Sequence, residues 1–517
     1  MKSQTTLREL IESAVEPVQI ARGDGATPVA GISCDSRRIA PGEIFAAISG
    51  HDAAGLRFAR SACAAGAAAV AVDEAIVEAA LDEVGPEVPI LACSNLRRFV
   101  AEAAATLAGH PSRRLRVVAI TGTSGKTTTS WLLESILSAA GAKVGLIGTI
   151  EYRCGAIRES APLTTPDAVA LQDLLARMER EGATHVVLEA SSHALAQDRL
   201  WGLACDVGVY TNLARDHLDF HESLEAYGAA KARLFREILP RSVKPAVAVL
   251  GIESSPVAAL ADQLAVGVLT FGATADVHAS QVCSSFEGTR GVLHLRGERV
   301  PFDTRLVGEP HLQNILAAAA AALALGVPAS AIADGIGTCA GVPGRLEPIL
   351  EGQPFAVFVD YAHKPDALAR TLATLRPLTQ GRLVAVFGCG GDRDAGKRPQ
   401  MGEIAARGAD LVLLTSDNPR GEDPLEILAQ IETGVRMAPC VRVSAETLGD
   451  DTPGTSRYTI LPDRRQAIQR AIEIARPGDV VLLAGKGHED YQVVGHERLH
   501  LDDREEARRV LRAAPPR

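Results

Sequence analysis

Paired cysteines, aromatic residues and excess positive charge are all scarce in this chain. Its nine cysteines, from Cys34 to Cys440, lie singly without a C-x-x-C pair, which disfavours a disulfide framework and a structural zinc site. The formal net charge is −10, so the chain lacks the basic surface that phosphate backbones require. We therefore expect no nucleic-acid partner and reduced thiols.

Long apolar segments are missing as well. Residues 1–17 carry acidic side chains and lack the apolar centre of a signal peptide. The richest apolar stretch, 315–327, is shorter than the ~20 residues that a membrane-spanning helix needs. These patterns predict a cytoplasmic protein without a membrane partner.

Length and composition indicate several α/β domains. At 517 residues the chain is too long for one ordinary core, and a typical size of ~150 residues suggests about three domains. A polar, proline-bearing segment at 110–114 has the character of a linker, and Gly-Val-Pro-Gly at 341–344 marks a second boundary. We predict domains at 1–110, 111–342 and 343–517.

Apolar segments alternate with helical ones in the two later blocks, which predicts parallel sheets covered by helices. The predicted strands are 117–120, 144–147, 185–188, 207–210 and 246–250 in the middle block, and 355–359, 383–387, 411–414 and 480–483 in the last. Short strand-like pieces between 276 and 305 suggest an antiparallel excursion, and an alanine-rich helix follows from about 311. The last block is typical of a small doubly wound, Rossmann-like domain.

The segment Thr-Gly-Thr-Ser-Gly-Lys-Thr-Thr at 121–128 directly follows the first strand of the middle block. Its glycines let backbone N–H groups converge on phosphate oxygens, Lys126 supplies charge to the β and γ phosphates, and the Thr127 hydroxyl is placed for Mg²⁺. The usual spacing would need a glycine where Ile120 stands, so the loop is a shorter variant. We predict an ATP-binding domain rather than an unliganded Gly/Thr-rich turn.

Two later strand ends and one helix supply further polar groups. Glu189 ends the strand at 185–188, where α/β sheets present their ligands, and His217 follows the strand at 207–210. Mg²⁺ prefers oxygen ligands, so Thr127 and Glu189 fit one ion. Lys231 lies in a predicted helix, and the ordinary interpretation is a surface lysine that extends its ammonium group into solvent.

Four segments, taken in order, resemble the Mur ligases of peptidoglycan precursor synthesis: Thr-Gly-Thr-x-Gly-Lys-Thr-Thr, Glu-Ala-Ser-Ser-His, Thr-Asn-Leu-x-Arg-Asp-His-Leu-Asp and Ala-Ala-Lys. The resemblance extends over nearly the whole chain. It implies three α/β domains, with a central P-loop-type ATPase domain, and two Mg²⁺ ions. It also implies that CO₂ carbamylates Lys231 to a metal-bridging carboxylate, with Thr127, Glu189 and His217 as the other metal ligands and Lys126 as a further catalytic residue.

Further motifs resemble the branch that adds a third residue to UDP-N-acetylmuramoyl-L-alanyl-D-glutamate, and they imply three binding sets for small molecules. The ATP set comprises Gly122, Thr123, Ser124, Gly125, Lys126, Thr127, Thr128, Asn314, Arg345 and Asp360. The set for the UDP-muramoyl-dipeptide comprises Cys34, Ser36, His51, Asp52, Ala53, Thr164, Thr165, Ser191, Gln197 and Arg199. The set for the incoming amino acid comprises Arg393, Asp417, Asn418, Pro419, Arg420, Gly485 and Glu489.

Arg420 indicates which amino acid would be added. The candidates are meso-diaminopimelate, which carries a carboxylate and an ammonium group at its far end, and L-lysine, which has only the ammonium group. A carboxylate in a closed cleft needs a donor, and arginine can form two parallel bonds with it. Because members that use lysine typically lack this arginine, the resemblance implies diaminopimelate, with Arg393 as a second cation and Glu489 facing the distal ammonium group.

The resulting hypothesis is a monomeric ligase that couples ATP hydrolysis to a peptide bond through an acyl phosphate. Two alternatives stay open. Folate polyglutamylation uses a related fold, although its loop is usually Gly-Lys-Gly-Ser where this chain has Gly-Lys-Thr-Thr. A P-loop switch or transport ATPase would use hydrolysis to drive motion, and it would release phosphate without an acceptor.

Overall fold

The structure is a computed structural model that describes residues 5–48, 55–450 and 454–513. Its internal contacts divide the chain into two compact units. The first comprises Met1–Ser280, Val292–Phe302 and Gln313–Thr338, and the second comprises Gln281–Gly291, Asp303–Leu312 and Cys339–Arg517. The predicted domain boundaries near 110 and 342 stay a prediction.

A five-stranded sheet with the order β1-β5-β4-β3-β2 opens the first unit. Strand β1 is antiparallel to β5, and the remaining pairs are parallel. The elements are α1 (Leu7–Ser13), β1 (Val18–Arg22), β2 (Gly31–Ser33), β3 (Glu43–Ala46), α2 (Ala59–Ala64), β4 (Ala69–Asp73), α3 (Val77–Glu83), β5 (Ile90–Cys93) and α4 (Leu96–Leu107). The buried face of α4 packs on this sheet through Phe99 and Val100.

The middle of the chain builds an 11-stranded sheet with the order β16-β15-β14-β13-β12-β11-β6-β10-β7-β8-β9. Its strands are β6 (Arg116–Thr121), β7 (Val144–Ile147), β8 (Glu151–Cys154), β9 (Ile157–Ser160), β10 (His185–Glu189), β11 (Val207–Tyr210), β12 (Val247–Gly251), β13 (Gly267–Phe271), β14 (Val277–Ser285), β15 (Gly288–Leu295) and β16 (Glu298–Thr304). Its helices are α5 (Lys126–Ala139), α6 (Ala168–Arg180), α7 (Ser192–Ala196), α8 (Leu218–His221), α9 (Leu224–Arg233), α10 (Ser255–Ala258), α11 (Glu309–Ala324) and α12 (Ala329–Thr338). Strand β6 lies between β11 and β10 and is parallel to both, so three strand ends meet at one edge.

The opposite end of β6 is fixed by one buried carboxylate. Asp206 accepts a hydrogen bond from the Val117 backbone N–H (2.7 Å) and ion pairs with Arg116 and Lys244. The Lys244 ammonium group also donates to the carbonyl oxygens of Ser112 and Leu115. These bonds anchor the strand whose other end opens into the phosphate loop.

The predicted linker segment at 110–114 is ordered. A 3₁₀ turn at Pro111–Arg113 buries Ser112, whose hydroxyl accepts from the Ala204 N–H. The helix predicted around Lys231 is present: α9 ends at Arg233, and a π-helical turn at Leu234–Ile238 continues it. A single π-helical turn is too short to be recognised from apolar periodicity.

Side chains on α4 join the first sheet to the middle of the chain. Arg98 pairs with Glu16, Asp198 and Glu237, and Arg233 pairs with the same Asp198 and Glu237. The Trp201 ring lies between the guanidinium groups of Arg98 (3.7 Å) and Arg241 (4.1 Å), and its N–H donates to Glu102. This set, which we call the Arg98 network, reaches α9 two residues beyond Lys231.

The second unit contains a seven-stranded sheet with the order β17-β18-β23-β19-β20-β22-β21, parallel except for the β17–β18 pair. Its strands are β17 (Glu347–Pro348), β18 (Ala356–Asp360), β19 (Leu383–Phe387), β20 (Leu411–Leu414), β21 (Cys440–Arg442), β22 (Ser456–Ile460) and β23 (Val480–Ala484), followed by a separate hairpin of β24 (Tyr491–Val494) and β25 (Glu497–His500). Its helices are α13 (Pro365–Leu375), α14 (Lys397–Gly408), α15 (Pro424–Val435), α16 (Arg464–Ile474) and α17 (Asp503–Ala513). Among the residues that the structure describes, no helix is long and apolar enough to cross a membrane.

One ion pair in the second unit is completely buried and provides a test of this packing. Arg464 donates to both carboxylate oxygens of Asp503 (2.7 and 2.6 Å), and neither side chain is exposed. Removing one member leaves the other charge buried without a partner. We therefore expect Asp503→Ala to lower the free energy of unfolding by about 3–5 kcal/mol, measured in urea titrations followed by circular dichroism. Arg509→Ala, which removes a largely exposed partner of Glu506, is the control. Equal losses in the two variants would contradict the expectation.

Candidate active site

The phosphate loop adopts a conformation that requires its glycines. Gly122 and Gly125 have φ angles of +143° and +86° between the end of β6 and the start of α5. A Cβ on Gly122 would lie 1.8 Å from the Thr211 hydroxyl oxygen, and one on Gly125 would lie 2.2 Å from the Asn314 amide oxygen. The loop is therefore closely backed by other residues, and only glycine fits at these two positions.

Thr211 and Asn212 hold the loop in place, a role that the sequence analysis did not assign to them. The Thr211 hydroxyl donates to the Ser124 carbonyl (2.6 Å). Asn212 accepts from the Ser124 N–H through its side chain (3.1 Å) and from the Thr123 N–H through its backbone (2.9 Å). The Thr-Asn pair at the end of β11 was visible in the sequence, but only the histidine of that motif was interpreted.

Glu189 is the centre of a buried hydroxyl and carboxylate cluster. Its carboxylate is 1% exposed and accepts from the Thr127 hydroxyl (3.0 Å), the Thr149 hydroxyl (2.9 Å) and the Thr149 N–H (3.0 Å). Thr128 is also buried in the first turn of α5. The pairing of Thr127 with Glu189 that the sequence suggested is therefore present, whereas Thr149 was missed because it lies in no recognisable motif.

Lys126 and Lys231 converge on one carbonyl oxygen. Their ammonium groups lie 2.8 and 2.9 Å from the Gly122 oxygen, and Lys126 also donates to the Thr123 oxygen (3.1 Å). Lys231 is 1% exposed and lies 4.5 Å from the centre of the Tyr227 ring, which excludes the ordinary alternative of a surface lysine. Burial, and secondarily the charge of Lys126, lowers the pKa of Lys231 well below its usual range.

His217 lies at the start of α8 in a left-handed conformation (φ +51°). Its ring is 6.1 Å from that of Tyr227 and 5.1 Å from that of His193, measured between centroids. Tyr227 therefore contacts both Lys231 and His217. Burial lowers the pKa of His193, which favours a neutral imidazole at this position.

The side chains around Glu189 supply only some of the oxygen ligands that a Mg²⁺ ion takes. Within the described ranges, no three His, Cys, Asp or Glu side chains are grouped so as to hold a metal ion. Thr127 and Glu189 provide two adjacent oxygen donors, which suits an ion that keeps several waters and takes phosphate oxygens. His217 and Lys231 offer an imidazole and an amine around Tyr227, and this second pair suits Mg²⁺ only if the lysine becomes a carboxylate.

The predicted acceptor-substrate residues form a connected patch beside Glu189. The Thr165 hydroxyl lies 2.7 Å from the Glu189 carbonyl and 3.2 Å from the Ser191 hydroxyl. Arg199 donates to the Thr165 carbonyl (2.9 Å) and to the Gln197 side chain (2.7 Å). The Thr164 hydroxyl lies 3.2 Å from that of Thr149, so the patch continues into the hydroxyl and carboxylate cluster around Glu189.

In the first sheet, the predicted substrate segment follows β2. Cys34 is exposed and Ser36 half-buried, and Asp35 between them pairs with Arg37, which lowers the Asp35 pKa to about 2. His51, Asp52 and Ala53 lie outside the described residues. Asn314 is buried on α11, 3.5 Å from the Thr129 hydroxyl and directly behind Gly125.

Within the second unit, Arg345 and Asp360 lie close together. Asp360 accepts from the Leu346 N–H (2.8 Å) and the Thr371 hydroxyl (3.1 Å), and burial raises its pKa. The Arg345 guanidinium stacks on the Tyr361 ring at 4.8 Å. Because Leu346 follows Arg345 directly, its bond to Asp360 fixes the backbone on which that guanidinium is carried.

The predicted amino-acid residues gather at the ends of β19, β20 and β23. The Asn418 amide donates to Glu489 (3.0 Å), and a Cβ on Gly485 would lie 2.8 Å from the Asp417 carboxylate. Arg420, which follows Pro419, donates to the Gly391 carbonyl (2.8 Å), next to the segment that carries the exposed Arg393.

Lys486 was missed in this pocket. It is fully buried and lies 3.3 Å from both the Asn418 amide oxygen and the Glu489 carboxylate. Burial raises the pKa of Glu489, and the charge of Lys486 opposes this shift. Lys486 lies between Gly485 and Glu489, which the sequence analysis assigned to this pocket, but no role was given to the lysine itself.

Comparisons with known proteins agree with this geometry. Family models match residues 28–110 (Mur ligase family, catalytic domain), 120–322 (Mur ligase middle domain) and 344–487 (Mur ligase, glutamate ligase domain). The chain is 43% identical over 498 residues to the UDP-N-acetylmuramoyl-L-alanyl-D-glutamate--2,6-diaminopimelate ligase of Geobacter metallireducens, covering 95% of this chain and 96% of the relative. A ligase of the same name from Solibacter usitatus is 42% identical over 508 residues, 98% of each chain.

A solved structure is similar throughout. It is titled as a UDP-N-acetylmuramoyl-L-alanyl-D-glutamate--2,6-diaminopimelate ligase, and it matches with a TM-score of 0.71 and 34% identity over 99% of both chains. The three-domain α/β class predicted from the motifs is confirmed by these matches. On this similarity over its full length, the chain belongs to the Mur ligase family.

Proposed function

We propose that this protein is an ATP-dependent ligase that joins meso-2,6-diaminopimelate to UDP-N-acetylmuramoyl-L-alanyl-D-glutamate in peptidoglycan precursor synthesis. The observation that carries the reaction is the convergence of Lys126 and Lys231 on the Gly122 carbonyl, beside the Thr127–Glu189 pair. The names of the full-length relatives support the substrates, and so does Arg420 in the second unit.

A carboxylate is a poor electrophile, so the reaction begins by activating it. An oxygen of the substrate carboxylate attacks the γ-phosphorus, the bond to the β-phosphate oxygen breaks, and ADP leaves from the resulting acyl phosphate. Two anions must approach each other in this step, and Lys126 in the glycine loop supplies charge where the triphosphate would bind. The amine then attacks the acyl carbon, phosphate leaves, and the nitrogen loses its proton.

Magnesium would be held by residues that are already adjacent. Thr127 and Glu189 would take one ion, while His217 and a carbamylated Lys231 would take a second. Bound Mg²⁺ offsets the negative charge of the triphosphate and orients it. The Lys231 amine can acquire the required carboxylate because its lowered pKa favours the neutral form, whose nitrogen adds to CO₂ with loss of one proton.

The Arg199–Thr165–Ser191 patch would hold the muramoyl peptide beside Glu189. Arg345 and Asp360 in the second unit would belong to the nucleotide site, as would Asn314 behind the loop. Arg420 and Arg393 would face the distal carboxylate of diaminopimelate, and Glu489 its ammonium group. These assignments extend the observed contacts by the family resemblance.

The proposal is tested by measuring ADP release with a panel of UDP-muramoyl peptides and amino acids. We expect release to require both UDP-N-acetylmuramoyl-L-alanyl-D-glutamate and diaminopimelate, with the tripeptide product seen by mass spectrometry. Release without any acceptor would contradict a ligase and favour a switch or transport ATPase.

Lys231→Ala should abolish ligation, since the variant would lack the carboxylate that a carbamylated Lys231 would supply for holding Mg²⁺. Millimolar acetate or another short carboxylate should restore part of the activity by replacing the lost group. Steady-state assays with and without acetate, together with circular dichroism to confirm folding, make the measurement. Full activity of the alanine variant would exclude the carbamate.

Lys126→Ala removes an ammonium group that lies on the glycine loop. We expect turnover to fall by at least ~100-fold, about 2.7 kcal/mol, because a positioned charge at a phosphoryl group acts in the transition state. Turnover would be measured at saturating ATP. A variant that keeps more than about a tenth of wild-type turnover would show that the role of this lysine is wrong.

Arg420 should make the protein prefer diaminopimelate over L-lysine by about 1000-fold in kcat/KM, about 4 kcal/mol. With lysine bound, the guanidinium would face an ammonium group and lack a carboxylate to pair with. Arg420→Ala should lose most of the preference by weakening diaminopimelate. Parallel kinetics with the two amino acids make the measurement, and equal efficiency in the wild type would exclude this pocket assignment.

A further inference from the structure

The hairpin of β24 and β25 lies beyond residues 344–487, the segment matched by the glutamate ligase domain model. It forms its own two-stranded antiparallel sheet, with Gly495 (φ +59°) in the turn. Leu499 on β25 and Val494 on β24 are both exposed, so the hairpin does not contribute to the sheet core. A different role is indicated by the contacts of residues 492–495, in and just after β24, which we call the inner edge of the hairpin.

That inner edge pairs with the loop at 417–420. The Arg420 N–H donates to the Val493 carbonyl (3.0 Å), and the Gly495 N–H donates to the Arg420 carbonyl (2.8 Å), so both backbone groups of Arg420 bond to the hairpin. The Val493 N–H donates to the Asn418 amide oxygen (3.0 Å). The Gln492 side chain donates to the Asp417 carbonyl (2.7 Å).

Arg420 needs this support because its backbone is strained. Its φ angle is +52°, in the left-handed region of backbone conformation that residues other than glycine rarely adopt. Such a conformation persists only where the surroundings determine it, and here the bonds to Val493 and Gly495 do so on both sides of the residue. The conformation sends the side chain to the Gly391 carbonyl, 2.8 Å away.

The same edge fixes the orientation of the Asn418 amide. A backbone N–H can only donate, so its bond from Val493 identifies the Asn418 atom that faces the hairpin as the oxygen. The amide nitrogen is then turned toward Glu489, 3.0 Å away. One short strand thus orients both the arginine and the asparagine of the pocket.

We propose that the hairpin is the element that positions Arg420 and Asn418 for the far end of the incoming amino acid, and that Gln492 and Val493 are positioning residues for this specificity. The inference rests on the proposed function, because it assumes that Arg420 binds the distal carboxylate of diaminopimelate. On this proposal, the hairpin, which lies outside the matched residues 344–487, helps the pocket to distinguish diaminopimelate, with its distal carboxylate, from L-lysine, which has only a distal ammonium group.

The test removes hydrogen bonds made by the hairpin and leaves Arg420 itself unchanged. Val493→Pro removes the N–H that bonds Asn418, and Gln492→Ala removes the anchor on Asp417. Glu497→Ala, an exposed change that faces Val494 across the same hairpin, is the matched control. For each variant, kcat and KM are measured for diaminopimelate, L-lysine, ATP and the UDP-muramoyl-dipeptide.

We expect Val493→Pro to lower the preference for diaminopimelate over lysine by about 10- to 100-fold, since displacement of a binding group by about 1 Å has effects of this size. The change should appear in KM for diaminopimelate, with KM for ATP unchanged, whereas general misfolding would alter every constant. If Val493→Pro does not fold, Gln492→Ala decides the question, with an expected loss of at least about threefold in the same ratio. Glu497→Ala should match the wild type.

An unchanged preference in the folded variants, with a wild type that prefers diaminopimelate, would overturn the hairpin's role and leave the proposed function standing. A wild type that does not ligate diaminopimelate would overturn the proposed function and the inference with it.

Discussion

Two lysine side chains in the first unit bond to the same carbonyl oxygen, that of Gly122, and the rest of the candidate site depends on this close approach. Lys126 and Lys231 come from helices far apart in sequence, yet both end on Gly122. Like charges at this separation repel strongly when buried, so the arrangement is stable only if one group is neutral or an anion lies nearby. The lowered pKa of Lys231 meets the first condition, and a triphosphate meets the second. The glycine loop is thus prepared electrostatically for a ligand before that ligand arrives.

Glu189 supplies a negative charge, and its carboxylate is held in one orientation by hydrogen bonds. Three donors from Thr127 and Thr149 hold its carboxylate, and the backbone of the same residue accepts from Thr165, which bonds to Ser191. One residue therefore links the proposed peptide-binding patch to the proposed magnesium site. Pre-organisation of this kind lowers the reorganisation that the reaction must otherwise carry out.

The nine strands predicted with bounds are all present, because they form short, continuous apolar segments that are buried in the sheets. The strands at 144–147, 207–210, 383–387 and 411–414 have the predicted bounds, and the others differ by about one residue. Other strands, such as β13 and β22, were not predicted, because their buried and exposed residues are mixed. The family was predicted from ordered motifs and is confirmed. Thr149, Lys486 and the edge contacts of β24 were not predicted, because their roles depend on which loops meet in space. The π-helical turn after Arg233 escaped for a related reason: it alters hydrogen bonding without altering which side chains are apolar.

The Arg98 network has a consequence for how the first unit responds to its solvent. The ion-paired side chains of this network, those of Arg98, Arg233, Glu16, Asp198 and Glu237, are only 9–33% exposed, so dissolved ions approach them less readily than they approach surface pairs. Arg98, Arg233, Asp198 and Glu237 each pair with at least two opposite charges, and Glu16 pairs with Arg98. The guanidinium groups of Arg98 and Arg241 also contact the Trp201 ring. The first sheet and the helix that carries Lys231 should therefore stay joined over a wide range of ionic strength, whereas weaker surface pairs such as Arg37–Asp35 would be screened.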